Sequence, residues 1–326
     1  MSAEGSKKAI VAALLANAGI AVAKFVAFFI TSSASMLAEA IHSVADSSNQ
    51  GLLLLGGSRA RRAATPQHPF GFGRERYFWS FVVALVLFTL GGIFALFEGI
   101  EKLRHPHEVG DLRVAFGVLV LAIVFEFFSL RTAVIESRKA KGAASWWHFV
   151  RTSRTPELPV VLLEDIGAMV GLVVALVAVS AAGITHNPAL DAVGTISIGV
   201  LLLVIAVFLM IEMKGLLIGE RALPGEEQAI KEALESHPQV RSVIHMRTQH
   251  LGPEDLLVGV KIALEPDLDL VKVADAINGA EAAVREAVPA AKIIYVEPDL
   301  LTPASADGAG GSLNDRPGGR ATNTDG

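Results

Sequence analysis

The sequence contains no cysteine among its 326 residues. Disulfide bonds and thiolate metal sites are therefore excluded, and any bound metal must use imidazole and carboxylate ligands. Charged residues are also scarce, at 19%, against about 25% in an average soluble protein. The formal net charge of −5 provides no basic field for nucleic acid, so we expect no nucleic-acid partner.

Hydrophobic residues are abundant instead, at 52%, and they occur in long blocks. Six of these blocks approach the roughly 20 residues that a helix needs to cross a bilayer. They lie at about 9–30, 35–57, 78–100, 112–135, 158–183 and 190–213. The pattern predicts an α-helical integral membrane protein with a transmembrane domain of six helices over residues 1–213.

Basic residues are concentrated in three of the segments that flank these blocks. They precede the first block and separate the second from the third and the fourth from the fifth: Lys7, Lys8, Arg59, Arg61, Arg62, Arg74, Arg76, Arg138, Lys139, Lys141, Arg151 and Arg154. Positive residues favour the cytoplasmic side, so we expect a multi-pass protein with both termini in the cytoplasm. We assign the plasma membrane as its host.

The sequence after residue 213 has the character of a soluble domain. Its helical and strand-like segments alternate in the order α-β-β-α-β, which predicts a small cytoplasmic α+β domain, ferredoxin-like, over residues 214–300. Residues 301–326 are rich in glycine and polar residues with little to bury, so we expect a disordered tail.

The second block carries polar residues that are costly at membrane depth. His42 and Asp46 are four residues apart, which places them on one face of a helix, where they can chelate a cation. In a soluble helix such a pair is more often a buried histidine hydrogen-bonded to an aspartate. Ionisable groups inside a membrane usually mark an ion or proton path, which favours the cation site here.

The fifth block contains the adjacent acids Glu164 and Asp165. Their side chains diverge by about 100° around a helix, so only one of them can point straight at a given partner. No basic residue lies within a helical turn of them in the sequence, which favours an external cation or a proton as the neutralising charge. The second and fifth blocks together predict a metal site.

These features resemble the cation diffusion facilitator family. The resemblance rests on "HPFGFGRER" before the third block, "DAVGTISIGVLLL" in the sixth, "LLIGERALPGEE" after it, and the order of the parts. "HSVADSSNQ" with "VVLLEDIGAMVG" looks most like the branch that contains the vertebrate mitochondrial zinc transporter. The resemblance implies a homodimeric antiporter, not an enzyme, that exchanges Zn²⁺ for protons by alternating access and needs no cofactor.

By position in the family pattern, the metal ligands are His42, Asp46 and Asp165. Val161 departs from that pattern, since exporters of the family commonly have His or Asp there. Glu164, three residues after Val161, replaces the missing ligand, or a water molecule does. In the C-terminal domain Lys261 and Tyr295 occupy positions where zinc-binding relatives have histidines, which leaves Glu297 without an obvious set of partners.

Three alternatives remain open at this point. An imidazole with carboxylates also suits Mn²⁺, Fe²⁺ or Co²⁺. The same carboxylates would serve a proton- or sodium-coupled carrier of a small solute. A membrane sensor that transports nothing would use the C-terminal domain as its output.

Overall fold

The computed structural model describes residues 3–31, 34–105 and 112–300. The chain divides into two compact units, Met1–Gly219 and Glu220–Gly326, each of which is described by itself. The tail predicted to be disordered, residues 301–326, lies outside the described residues.

The first unit is helical in all its regular structure within the described residues. Its helices are α1 (Ala3–Thr31), α2 (Ala34–Arg59), α3 (Glu75–Val86), α4 (Phe94–Arg104), α5 (Leu112–Lys141), α6 (Trp146–Thr152), α7 (Glu157–Thr185) and α8 (Ala189–Ile218). A π-helical segment, Leu87–Ile93, joins α3 to α4, so that the three form one long helical stretch.

Five helical stretches of the described chain are long and apolar enough to cross a membrane: Glu4–Ile30, Glu75–Arg104, Ala115–Lys141, Glu157–Thr185 and Ala189–Ile218. The predicted second span corresponds to α2, which is not among them. Asp46 and the polar run from Ser47 to Gln50 lower the hydropathy of this helix. A helical membrane region is therefore confirmed, whereas the count of six spans is not.

The packing of the helices brings α2, α5 and α7 to one part of the bundle. Helix α1 packs against both α2 and α5, and α7 packs against α5 and α8. Helix α8 also lies very close to α4: a Cβ added at Gly99 would meet the backbone N of Ile196 at 2.8 Å, and one at Gly199 would meet that of Leu96 at 2.8 Å. Glycine at both positions permits this approach.

The second unit contains α9 (Pro224–Glu235), β1 (Val240–Gly252), β2 (Asp255–Leu264), α10 (Leu270–Ala287) and β3 (Ile293–Asp299). The predicted order α-β-β-α-β is confirmed. Strand β2 is central, antiparallel to β1 and parallel to β3. Apolar residues from both helices and from the sheet form the core, among them Ile230, Leu256, Val258, Ile262 and Val284.

Candidate metal centre

Helix α7 places two adjacent carboxylates inside the helical unit. Glu164 is 8% exposed and Asp165 is 3% exposed. The side chain of Asp165 faces α5, where its Oδ2 accepts a hydrogen bond of 2.7 Å from the hydroxyl of Ser129. A neutral donor of this kind orients a carboxylate and leaves its charge to be balanced elsewhere.

Glu164 faces a different helix from its neighbour. Its Oε1 accepts a hydrogen bond of 3.0 Å from Nδ2 of Asn49, which lies on α2. Next to Asn49, the Oε1 of Gln50 accepts a bond of 3.3 Å from Nδ2 of Asn17 on α1. Polar side chains thus connect α1, α2 and α7 at the level of the two carboxylates.

Asp46 brings a further carboxylate to this region from α2. Its side chain is half-buried, and it interacts electrostatically with Glu164. The backbone of His42 lies in the same helix, but its side chain is outside the described residues. The pairing of His42 with Asp46 therefore stays a prediction.

Sequence reasoning missed a fourth acidic residue, Glu126 on α5. It is 2% exposed and lies one helical turn before Ser129. It interacts electrostatically with Asp165, Glu164 and Asp46. The signal was present as a lone acid in the apolar run "AIVFEFFSL". A single acid, however, has no spacing to a second polar residue that would relate it to a site.

The acidic residues of this region do not converge on one point. In the part of the chain that the structure describes, no group of three or more His, Asp or Glu side chains is close enough to hold one metal ion. Val161, the position at which the family pattern expects a ligand, is fully buried in the apolar core. The described acids therefore form no tight metal site.

Two oxygen atoms in this region lack a hydrogen-bond donor. Within the described residues, Oε2 of Glu164 and Oδ1 of Asn49 are buried and make no hydrogen bond of ordinary length, and the same holds for Nε2 of Gln50, which interacts with Glu164. Buried oxygen atoms without a donor cost free energy, and they suit a cation as partner.

Carboxylates of the C-terminal domain have a different environment. Strand pairing places Lys261 on β2 directly opposite Glu297 on β3. The Nζ of Lys261 lies 2.8 Å from Oε1 of Glu297 and 3.1 Å from Oδ2 of Asp299. Hydrogen bonds to Glu297, the larger cause, and to Asp299 hold the pKa of Lys261 above its usual value. The pKa of Asp299 is lowered, mainly by the hydrogen bond from the backbone N–H of Leu300 and to a smaller extent by Lys261. The partner that the sequence did not reveal for Glu297 is thus a lysine.

Comparison with protein families gives two matches that divide the chain in the same order. A model described as the cation efflux transmembrane domain matches residues 10–218. A model described as the cation efflux protein, cytoplasmic domain, matches residues 223–299.

Individual proteins agree with these matches. The chain is 35% identical over 269 residues to the proton-coupled zinc antiporter SLC30A9, mitochondrial, of Mus musculus, covering 82% of this chain and 47% of the relative. It is 33% identical over 253 residues to metal tolerance protein C4 of Arabidopsis thaliana, covering 76% of this chain and 55% of the relative. The chain therefore spans about half the length of these relatives.

A solved structure of the MamM C-terminal domain is similar to part of this chain. It is 25% identical, and the similarity covers 23% of this chain and 95% of that one, with a TM-score of 0.22.

The assignment to the plasma membrane is contradicted by these comparisons. The mouse relative is named as a mitochondrial protein, as are its counterparts in other vertebrates, and none of these names indicates the plasma membrane. The physical reason for the error is that basic loops orient a protein across a membrane without specifying which membrane it is. The multi-pass character is supported.

Proposed function

We propose that this chain, which belongs to the cation efflux family, moves divalent metal cations across a membrane and exchanges Zn²⁺ for protons. The observation that carries the proposal is the pair of buried carboxylates on α7. Neutral donors from α5 and α2 hold Asp165 and Glu164, and no Lys, Arg or His side chain of the described chain pairs with either. Such carboxylates are suited to an external cation.

The ligands that we propose are His42 and Asp46 on α2 and Asp165 on α7. Glu164 or a water molecule completes the set. In this proposal α2 is the sixth membrane helix, because it packs against α1 and α3 and its Asn49 donates a hydrogen bond to Glu164 of α7. Alternating rearrangement of the helices would expose the site to each side in turn.

Proton exchange follows from the chemistry of these ligands. Imidazole must be neutral and carboxylates must be ionised to bind a metal, so metal binding expels protons and protonation expels metal. An ordinary histidine has a pKa of about 6.5, which lies in the range where small changes of environment alter its charge. One site can therefore couple the movement of metal in one direction to the movement of protons in the other.

The ligand set does not by itself select zinc. In the absence of cysteine, a site with one imidazole and several carboxylates also suits Mn²⁺, Fe²⁺ and Co²⁺. The name of the mouse relative favours Zn²⁺. The model for the C-terminal domain is named for dimerisation, and this supports a homodimer. We propose no enzymatic activity and no cofactor, since the metal is the cargo.

The test is flux into proteoliposomes that contain the purified chain. Zn²⁺, Mn²⁺, Fe²⁺ and Co²⁺ are offered one at a time with an imposed pH gradient, while internal metal and internal pH are both recorded. We expect Zn²⁺ uptake that dissipates the gradient and slows when the gradient is abolished. Absence of flux for all four metals, in vesicles where the protein is folded, would contradict the proposal.

A further inference from the structure

Glu126 is the buried acid that the proposed ligand set does not use. It belongs to α5, and 2% of its surface is exposed. An ionisable side chain at such a position in a membrane helix costs a few kcal/mol on insertion scales and usually serves a function. The helix offers no local compensation, because its neighbours from Ala122 to Phe128 are all apolar.

No base neutralises this carboxylate within the described chain. Its electrostatic neighbours are Asp165, Glu164 and Asp46, all of which are acids. The nearest basic residue on the same helix is Arg131, more than one turn further along the chain, and no ion pair joins the two in the described structure. An ionised carboxylate beside other carboxylates is repelled by them, and a divalent cation would offset that repulsion.

A second observation in the same region points to a cation. Oε2 of Glu164 and Oδ1 of Asn49 are buried oxygen atoms that make no hydrogen bond of ordinary length within the described residues. The exposed fraction is 8% for Glu164 and 1% for Asn49, so water does not readily reach them. Glu126 interacts electrostatically with the same Glu164. The acids and the unfilled acceptors therefore occur together.

We propose that Glu126 is a fourth carboxylate of the transport path, which binds the transported divalent cation directly or through one water molecule as the cation passes Asp165. The inference rests on the proposed function and extends it. Its geometric basis is the juxtaposition of α5 and α7. One turn separates Glu126 from Ser129, whose hydroxyl already contacts Asp165. Glu126 therefore lies next to the turn of α5 that contacts Asp165, on a helix that packs against α7.

The experiment compares the zinc affinity of the purified full chain with that of three variants. Glu126→Gln removes the charge and keeps the shape, and Glu126→Asp keeps the charge on a shorter side chain. The control is Glu136→Gln on the same helix, because Glu136 is paired with Lys139 at 2.6 Å. Affinity is measured by competition with a zinc indicator, and the KM and maximal rate of flux are measured in proteoliposomes. Unfolding temperatures establish that each variant is folded.

We expect Glu126→Gln to raise both the dissociation constant and the KM by about 10-fold or more, which is the usual scale for groups that support a metal. Glu126→Asp should recover part of the affinity and shift the preference among Zn²⁺, Mn²⁺ and Co²⁺. Glu136→Gln should match the unaltered chain.

Unchanged affinity and KM in Glu126→Gln would overturn the assignment, even if its maximal rate fell, because a proton carrier or a structural residue would behave in that way. Failure of the proposed function looks different, because the unaltered chain itself would then neither bind nor carry any of the metals. That result would overturn both proposals.

Discussion

Two parts of helix α7 hold buried carboxylates in opposite ways. At its first turn Glu157, 2% exposed, is paired with Arg76 of α3. The guanidinium contacts both carboxylate oxygens, and Nη2 lies 2.8 Å from Oε2. Two turns later, the described partners of Glu164 and Asp165 are neutral donors. The first carboxylate has its counter-charge within the fold, whereas the other two have none among the side chains that the structure describes.

The C-terminal domain repeats the first arrangement at its surface. The ammonium of Lys261 contacts Glu297 and Asp299. A fixed positive charge therefore neutralises these carboxylates, as Arg76 neutralises Glu157. We infer that the helical unit, and not the C-terminal domain, binds the metal.

The largest effect should follow from removing a carboxylate that lacks a counter-charge. Asp165→Asn should reduce metal-dependent flux by at least about 100-fold, because even groups that only support a ligand contribute about 10–100-fold. Flux in proteoliposomes measures this. The matched control is Asp191→Asn on α8, since Lys102 keeps its partner Glu98 in that variant. Flux at the level of the unaltered chain in Asp165→Asn would remove this residue from the site.

Removing the base from the paired carboxylate should affect stability instead. Arg76→Met leaves Glu157 buried without a counter-charge, so the free energy of unfolding should fall by about 3–5 kcal/mol. Denaturant unfolding of the purified chain in chelator measures the change. Glu157→Gln combined with Arg76→Met should restore part of the loss.

Glu164→Gln provides the contrast, because that carboxylate has no basic partner to lose. Its stability in chelator should equal or exceed that of the unaltered chain. If Glu164→Gln were as destabilising as Arg76→Met, the distinction between the two ends of α7 would be wrong.

A smaller effect should follow from replacing the fixed cation of the C-terminal domain. Lys261→His leaves an imidazole beside Glu297 and Asp299, opposite His245 of the antiparallel strand β1. We expect Zn²⁺ to raise the unfolding temperature of this domain in Lys261→His, and to have no such effect in the unaltered chain or in Lys261→Gln. Zinc stabilisation of the domain in the unaltered chain would show that the lysine does not replace a metal.

The smallest expected effect is the loss, at acid pH, of the stability that Asp299 contributes. Because the pKa of Asp299 is lower in the fold than its ordinary value of 3.8, its contribution to stability is present above that value. The contribution is lost as the pH falls through the lower folded pKa. Asp299→Asn should therefore differ from the unaltered chain near neutral pH and converge with it in acid. Hydrogen exchange of the β3 amides in the full chain measures this difference, and a difference that is constant with pH would contradict it.

Local patterns were sufficient to predict much of this molecule. The apolar blocks predicted the long helices, and alternating segments predicted the α-β-β-α-β order, because both depend on residues close in the chain. The adjacent acids Glu164 and Asp165 were identified for the same reason. The count of six spans was not confirmed. The polar residues that indicate a metal site on α2 also lower the hydropathy of this helix.

Contacts between distant residues could not be predicted in this way. Glu126 stands alone in its apolar run, and only the packing of α5 against α7 brings it to the other acids. Lys261 and Glu297 are partners because β2 and β3 are parallel neighbours in one particular register. Neither register nor helix packing is encoded in a short window of sequence.

The number of zinc ions bound per chain tests most directly whether the metal site lies in the helical unit. It is measured by equilibrium dialysis of the full chain, of Asp165→Asn, and of a double variant, Glu297→Gln with Asp299→Asn. We predict that the unaltered chain and the double variant bind the same number of ions, and that Asp165→Asn loses its tight site. Zinc binding that survives in Asp165→Asn but disappears in the double variant would contradict this location of the site.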